Sequence, residues 1–412
     1  MSVRPRAAYA LGAIALSALL LPVAVAVLAT VALLAATVVD ALAVRRRPSV
    51  VRRLPHVLAR GVETRLVLEQ EEGRESRLRQ PLPPDFSLEP QEGEGGLDGQ
   101  LVARRRGRHV LPAVAARSDG PLGLGCWYHR TGESAELLVY PDLPGARRLA
   151  SAVRRGQLRD EGRRRGPIGL GTEFESVRDY LPDDDVRQIN WRATQRLGRP
   201  MSNQYRVERD RDVICVVDCG RLMAAPLGDR TRLDAALDAA IAVAAAADDL
   251  GDRSGAIAFD DEVRRTVPPR RRGAAAVVGS LFDLEPRPVD SDYHRAFAMI
   301  GDAKRAFVLV LTDLLEEAAA RPLLEALPVL ARRHIVAVAS ATDTELEELV
   351  TSEPRRDVDV YRAVVALDVL DARARVTALL RRAGAEVIDM PAGGLPLACV
   401  RTYLRAKARA LL

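Results

Sequence analysis

Between Gly171 and Arg196 the chain sets Glu173, Glu175, Asp179, Asp183, Asp184 and Asp185 among Arg178, Arg187, Arg192 and Arg196. Phe174, Tyr180, Ile189 and Trp191 stand between them at intervals. Carboxylates packed this closely are material for acid–base chemistry, but arginine neighbours favour the charged form and make poor general acids of them. Charge pairing is the better use. Arg178, Arg187 and Arg196 can form two-pronged pairs with Asp184, Asp185 and Glu173, bracing the segment against a sheet and leaving part of its surface for docking. A solvated charge run has no need of interleaved aromatic residues, so this segment is expected to be ordered.

A second group of carboxylates follows apolar runs: Asp218, Asp260 with Asp261, Asp313, and the loop Asp290-Ser291-Asp292. Oxygen donors of this kind suit a hard divalent ion. Asp218, Asp260 and Asp313 around a metal define the enzymatic alternative, a metal-dependent hydrolase. Other catalytic signals are missing. No Ser-His-Asp or Cys-His order occurs, nor a phosphate-cradling GxxxxGK[ST] or a dinucleotide GxGxxG. His56, His109 and His129 are isolated and read as surface or satisfied residues, and His294 and His334 have no sequence partner. Of the four cysteines only Cys215 and Cys219 lie close together, and no second pair completes a zinc set. Such usage fits a reducing compartment.

These residues need elements to hold them. VICVVD (213–218) is an apolar strand without polar alternation, the mark of burial on both faces. A helix at 231–252 follows, with Leu233, Leu237 and Ile241 on one face, then strands at SGAIAFDD, 305–314, 332–340 and 385–391, with a long helix near 358–383. This alternation predicts a doubly wound parallel α/β sheet over 212–412, with its site at the carboxyl ends of the strands. From 50 to 142 the period shortens to two, with Pro/Gly-rich turns, predicting an antiparallel β-sandwich-like domain. Within it 89–100 reads as a flexible hairpin loop, and Gly120–Arg130 as a turn feeding an edge strand. Residues 143–211 connect the two domains.

Residues 7–44 are apolar with one charge, Asp40. A single helix of that length would be about 57 Å long at 1.5 Å per residue, against a hydrocarbon core of about 30 Å. Pro22 lies near the middle, so two short helices, about 7–21 and 23–42, are expected as a transmembrane hairpin within 1–49. Arg4 and Arg6 flank one end and Arg45, Arg46 and Arg47 the other, which keeps both ends and the C-terminal domains on the cytoplasmic side of the inner membrane. The formal charge is +5, with acids and bases interspersed, which argues against a nucleic-acid binder.

The segment 171–196 resembles the signature of the domain of unknown function 58 family of bacterial membrane-associated proteins. That pattern runs Gly-x-Glu-Phe, Arg-x-Tyr, Gly-Asp-Asp-x-Arg-x-Ile-Asp-Trp, then Ser/Thr and Arg. The chain matches at Gly171, Glu173, Phe174, Arg178, Tyr180, Pro182, Asp184, Asp185, Arg187, Ile189, Trp191, Thr194 and Arg196, and departs at Asp183 and Asn190. The N-terminal hairpin, the PLGL tract and the ending YLRAKARALL are similar too. The resemblance implies a C-terminal domain like von Willebrand factor type A. Such domains often hold Mg²⁺ through Asp-x-Ser-x-Ser, a later Thr and a late Asp. Here the Asp positions are Asp218 and Asp313, but the serine positions are Gly220 and Leu222, so the resemblance implies a degenerate adhesion site with no cofactor. It further implies a non-enzymatic interaction protein whose partner is a MoxR-type AAA+ ATPase, serving assembly or maturation of membrane or envelope complexes.

Overall fold

The computed structural model describes residues 1–20, 22–155, 173–181, 184, 186–206, 210–301, 305–314 and 317–408, without the side chains of 173–175, 187, 204–206 and 317–319. The chain divides into two units, Met1–Tyr140 and Pro141–Leu412.

The first unit begins with β1 (Ser2–Val3), α1 (Pro5–Ser17) and α2 (Val23–Ala43). Short strands follow: β2 (Ser49–Arg53), β3 (Val57–Ala59), β4 (Thr64–Glu72), β5 (Ser76–Arg79), β6 (Phe86–Glu89) and β7 (Glu92–Glu94). Then come β8 (Gly96–Ala103), β9 (Gly107–Leu111), β10 (Val114–Asp119), β11 (Gly125–Thr131) and β12 (Ala135–Tyr140). They form sheets ordered β2-β4-β8-β6, β3-β12-β9 and β1-β11-β10-β5-β7. Alternate residues point inward. Leu66 and Leu68 of β4 and Leu97 and Leu101 of β8 join Leu78, Leu88, Leu111 and Leu137 in one core.

Residues 89–100 are not a flexible loop. β7 pairs with β5, and β8 begins at Gly96. The glycines make this possible by close backbone approach: a Cβ on Gly93 would lie 2.0 Å from the Gly96 carbonyl oxygen. Nor is β11 an edge strand, because β1 pairs with its outer side.

α2 is the described helix long and apolar enough to cross a membrane, with mean hydropathy 2.4 over its window. α1, at 13 residues, would be only about 20 Å long. The one charge in α2, Asp40, is buried. Its carboxylate accepts backbone N–H bonds from Leu122 (2.7 Å), Leu124 (2.8 Å) and Gly125 (2.9 Å) in the β10–β11 turn. Leu124 also accepts from the Arg4 amide through its carbonyl, at 2.9 Å. The start of α1 and the end of α2 therefore meet the same residue. His129 and Thr131 continue the seam, bonding the Val44 and Pro48 carbonyls. A Cβ on Gly120 would lie 2.3 Å from the Asp40 carboxyl group, and one on Gly125 2.6 Å from the Thr37 carbonyl oxygen.

The second unit opens with α3 (Leu143–Arg154), β13 (Glu173–Asp179), α4 (Trp191–Leu197) and β14 (Met201–Arg206). β15 (Asp212–Asp218), β16 (Pro226–Leu227), β17 (Arg230–Thr231), α5 (Arg232–Asp249), β18 (Arg253–Phe259), β19 (Val263–Arg271), α6 (Ala274–Leu281) and α7 (Tyr293–Ala298) follow. The remainder is β20 (Phe307–Leu311), α8 (Glu317–Ala331), β21 (Ile335–Thr342), α9 (Thr344–Thr351), α10 (Asp357–Arg382), β22 (Glu386–Pro391) and α11 (Leu395–Ala408).

Its main sheet has the order β19-β18-β15-β20-β21-β22. β18, β15, β20, β21 and β22 run parallel, and β19 is antiparallel at the edge. The sequence pattern does not announce β19. Its Arg-rich run and Pro268-Pro269 resemble a loop, but an edge strand tolerates proline because one side needs no donors. Helices lie on both faces. The Cys215 thiol reaches the Ala240 carbonyl of α5, whereas Ile214 and Val216, pointing the other way, pack with Tyr293, Leu323, Leu327 and Val376 from α7, α8 and α10. α5 is buried nearly all round rather than along one stripe, since α3 and α11 also pack on it and its alanines allow close approach. From β15 the chain passes to β18 on one side and later to β20 on the other, so the order reverses between β15 and β20. A crevice at the carboxyl ends of strands opens at such a point.

Asp40→Ala removes the acceptor of three backbone amides, of which that of Gly125 is buried, and an unsatisfied buried donor costs about 1–3 kcal/mol. Thermal unfolding of the full chain in mild detergent should show a lower midpoint for Asp40→Ala and Gly120→Ala, with Asp40→Asn between them and the parent. An unchanged midpoint in Asp40→Ala would mean that the turn does not hold the helix.

Candidate functional site

The reversal point places the end of β15 beside the end of β20. Asp218 closes β15, and its carboxylate accepts four hydrogen bonds. Oδ1 takes the Gly220 amide (2.8 Å) and the Ser291 hydroxyl (2.5 Å). Oδ2 takes the Tyr293 phenol (2.9 Å) and the Thr312 hydroxyl (2.7 Å), and these two hydroxyls are 2.7 Å apart. A carboxylate has about four lone-pair directions, and the protein's own donors meet all four here. Burial and the Asp218 charge push the Tyr293 phenol well above its ordinary value, keeping it a donor.

Gly220 acquires a different meaning here. In sequence it marks a missing ligand. In the structure a Cβ at Gly220 would stand 2.2 Å from the Ser291 oxygen, so its bareness admits the serine that bonds Asp218. Leu222 is half-buried in the following turn.

Asp313 follows β20. Its Oδ1 accepts from Arg232 of α5 at 2.9 Å, lies 3.8 Å from Arg373 of α10, and receives the Leu314 amide at 2.9 Å. All three charged residues are buried. Burial pushes the Asp313 carboxyl up, and the two guanidinium groups pull against it. Arg232 also donates to the Ala341 carbonyl, and Arg373 to Ser340 and Asp389, so the carboxyl ends of β20, β21 and β22 share one cation pair.

The centre envisaged from Asp218, Asp260 and Asp313 is not assembled. Asp260 is fully buried, pushed up by that burial, and faces Arg264 at 3.4 Å and Arg287 at 3.8 Å. The three carboxylates serve three separate sets of donors. Among the described residues, no group of three or more His, Cys, Asp or Glu is placed to hold a metal. All four cysteines are free and buried, and burial lifts the Cys215 thiol to about 12.

The signature segment folds as a hairpin of its own. β13 and β14 pair antiparallel, with a bridge between Ile189 and Ser202. They are not hydrogen-bonded into the main sheet, and the pairing seen among the described residues lies within the segment itself. Arg178 grips Asp184 with two bonds, 2.8 and 2.6 Å, and Asp184 also accepts the Leu181 amide. Arg178 holds the Asp184 carboxyl below the ordinary carboxylate range. The Tyr180 phenol donates to the Asp184 carbonyl. Gly171 and Asp185, with the side chains of Glu173, Phe174 and Arg187, lie outside the described residues. So the pairs expected for Arg187 and Arg196 cannot be placed; Arg196 itself is exposed on α4. Trp191 is 69% exposed. The departure at Asn190 has a reason: its Oδ1 caps α4 through the Ala193 amide while its side-chain nitrogen donates to Asn203, which an aspartate could not do.

Arg52 and His56 of the first unit line an open groove of about 660 Å³ with Arg108, Glu133 and Glu136. The Arg52 guanidinium is already bonded to Gln80 and to the Pro112 and Glu133 carbonyls.

Residues 176–379, which contain this site, match the model of the family described as protein of unknown function DUF58. Across that span the chain is a member of the family. It is 28% identical over 157 residues to the uncharacterized proteins Mb1516 of Mycobacterium bovis and Rv1480 of Mycobacterium tuberculosis, covering 36% of this chain and 48% of each relative. The chain thus spans about half the length of the curated relatives it matches. Among solved structures, a cohesin module from a Clostridium perfringens family 33 glycoside hydrolase is similar over 22% of this chain and 96% of its own. Its 9% identity and TM-score of 0.15 are too slight to bear on the fold.

Arg232→Met leaves Asp313 short of a partner, and breaking a buried pair costs about 3–5 kcal/mol. Urea unfolding should show most of that loss for Arg232→Met, with part of it recovered when Asp313→Leu is added. Additive losses would deny the pairing. Asp184 gives a pH test. Its folded value is depressed, so the Arg178 pairing is present at neutral pH and is lost only as pH falls through that depressed value. Carboxyl NMR titration should place Asp184 lower in the parent than in Arg178→Met.

Proposed function

We propose that this chain is a non-enzymatic, membrane-anchored interaction protein whose C-terminal unit works as a von Willebrand factor type A-like module without a metal. The observation that carries this reading is the saturated Asp218 carboxylate: protein hydroxyls and an amide occupy the directions through which an adhesion-type site would hold its ion. Arg232 adds to it by supplying, from inside the fold, positive charge opposite Asp313. What remains accessible is the rim, where Arg221 meets Asp290, and the signature hairpin with exposed Trp191.

In this reading α1 and α2 form a hairpin in the inner membrane. Their shared contact with Leu124 and the basic residues at both ends favour a cytoplasmic location for the remainder. The partner implied by the family resemblance is a MoxR-type AAA+ ATPase, and the process is assembly or maturation of membrane or envelope complexes.

The test is capture of the purified MoxR-type ATPase from the same genome by the full chain in detergent, without nucleotide, with and without EDTA. Equal capture in both, reduced about tenfold by Trp191→Ala, is expected. No capture would sink the partner, and capture abolished by EDTA would return a cation to the site.

A further inference from the structure

The β10–β11 turn departs from an ordinary surface turn in two ways. Gly120 to Gly123 is a β-turn, closed by the Gly123 amide on the Gly120 carbonyl at 2.9 Å. Its corners are Pro121 and Leu122, both exposed, Leu122 by 60%. Turn corners are dominated by Gly, Pro, Asn, Asp and Ser, so Leu122 is the unusual one. Every amide from Gly120 to Gly125 also has its acceptor inside the protein. That of Gly120 donates to the Gly125 carbonyl, those of Leu122, Leu124 and Gly125 donate to Asp40, and Pro121 has none to offer. A hydrocarbon surrounding demands such internal pairing, and water does not.

Helix length says what lies against that tip. The buried residues of α2 are Thr37, Asp40 and Ala41, and the turn lies on them. A Cβ on Gly125 would be 2.6 Å from the Thr37 carbonyl oxygen and 2.8 Å from the Ala41 Cβ. The part of α2 before Thr37, Val23 to Ala36, is only about 21 Å long at 1.5 Å per residue, short of a hydrocarbon core of about 30 Å. The whole helix, at about 31 Å, matches it. A span by α2 therefore takes its covered last turns into the bilayer, and the turn bonded to them goes with them. Beside Asp40 the helix still exposes Val38, Val39 and Leu42. Arg45, Arg46 and Arg47 are exposed just beyond its end. Arg6 lies at the turn, where a Cβ on Gly123 would be 3.0 Å from its Nη1. Guanidinium groups on long stems reach lipid phosphates from such positions.

We propose that the Pro121-Leu122 tip is embedded in the boundary between headgroups and acyl chains of the bilayer that α2 spans, so that the sandwich rests directly on the membrane surface. This inference rests on the reading of α1 and α2 as a membrane hairpin. Leu122 sits among the outer acyl segments, and Arg6 with Arg45 to Arg47 stands at the level of the phosphates. The same turn screens Asp40 from lipid, since its amides occupy the carboxylate from the side on which it approaches. The partner of this surface is the lipid itself, and the flanking arginines favour an anionic leaflet.

Fluorescence quenching reads the depth of the tip. The full chain is reconstituted into vesicles of phosphatidylcholine and phosphatidylglycerol, with a small environment-sensitive fluorophore on one introduced thiol. The four native cysteines are buried, and Leu122→Cys keeps the backbone amide that bonds Asp40. Leu34→Cys, exposed in the middle of α2, reports whether the helix is in the bilayer, and Val110→Cys, 62% exposed on β9, reports water. Lipids carrying a nitroxide near the headgroup end of the acyl chain should quench the Leu122 probe about threefold more than the Val110 probe, and aqueous iodide should quench it about threefold less. A Leu34 probe quenched from within the bilayer, beside a Leu122 probe that behaves like Val110, overturns the proposal and leaves the hairpin standing. A Leu34 probe open to iodide sinks the hairpin and the proposal with it.

Discussion

A carboxylate taken out of water needs donors or positive charge to replace its hydration, and this chain buries several. Each is met by a different chemistry. Asp40 is held by backbone amides and Asp218 mainly by hydroxyls. Asp313 is held chiefly by guanidinium groups, and Asp252 by the Tyr403 phenol and the Lys407 ammonium. An unpaired buried charge would be far more costly than a lost surface contact, so these four positions fix which elements must come together. Asp252 ties the C-terminal helix to the loop before β18, Asp313 ties α5 and α10 to β20, and Asp218 ties β15 to the loop before α7.

Space for these bonds comes from residues that contribute no side chain. Gly120 and Gly125 let the turn lie against α2 closely enough for its amides to reach Asp40, and Gly220 leaves room for Ser291. At all three positions a methyl group would meet atoms closer than van der Waals contact allows. The family resemblance casts Gly220 as a deletion from an ion site. Physically it is part of a closed hydrogen-bonded cradle, in which Ser291 occupies the space that a side chain at position 220 would need.

The strands of the main sheet were legible because burial on both faces leaves runs such as VICVVD with no polar residue to confuse them. Helix α10 was legible to within a residue at each end. β19 was not, because its arginines and paired prolines imitate a loop. In the site, Asp218 and Asp313 stood out as acids after apolar runs. Their donors did not: Ser291, Tyr293 and Thr312 come from 73, 75 and 94 residues away, and only the folded sheet brings them in. Asp40 showed as a lone charge, but backbone amides have no residue type to announce them. In sequence Gly120, Gly123 and Gly125 read as a turn feeding a strand, not as backbone lying against a helix.

The clasp on Asp40 also has an order in time. Its amide donors begin 82 residues after it in the chain. At synthesis rates of about 5–20 residues per second, that separation is roughly 4–16 s. For that interval α2 has emerged while nothing holds its carboxylate, and the β10–β11 turn does not yet exist. The acid must meanwhile be served by water, which the amides of Leu122, Leu124 and Gly125 replace once the turn is made. A charge that looks like a flaw in an apolar helix is thus a contact that can close only after 82 further residues have been made.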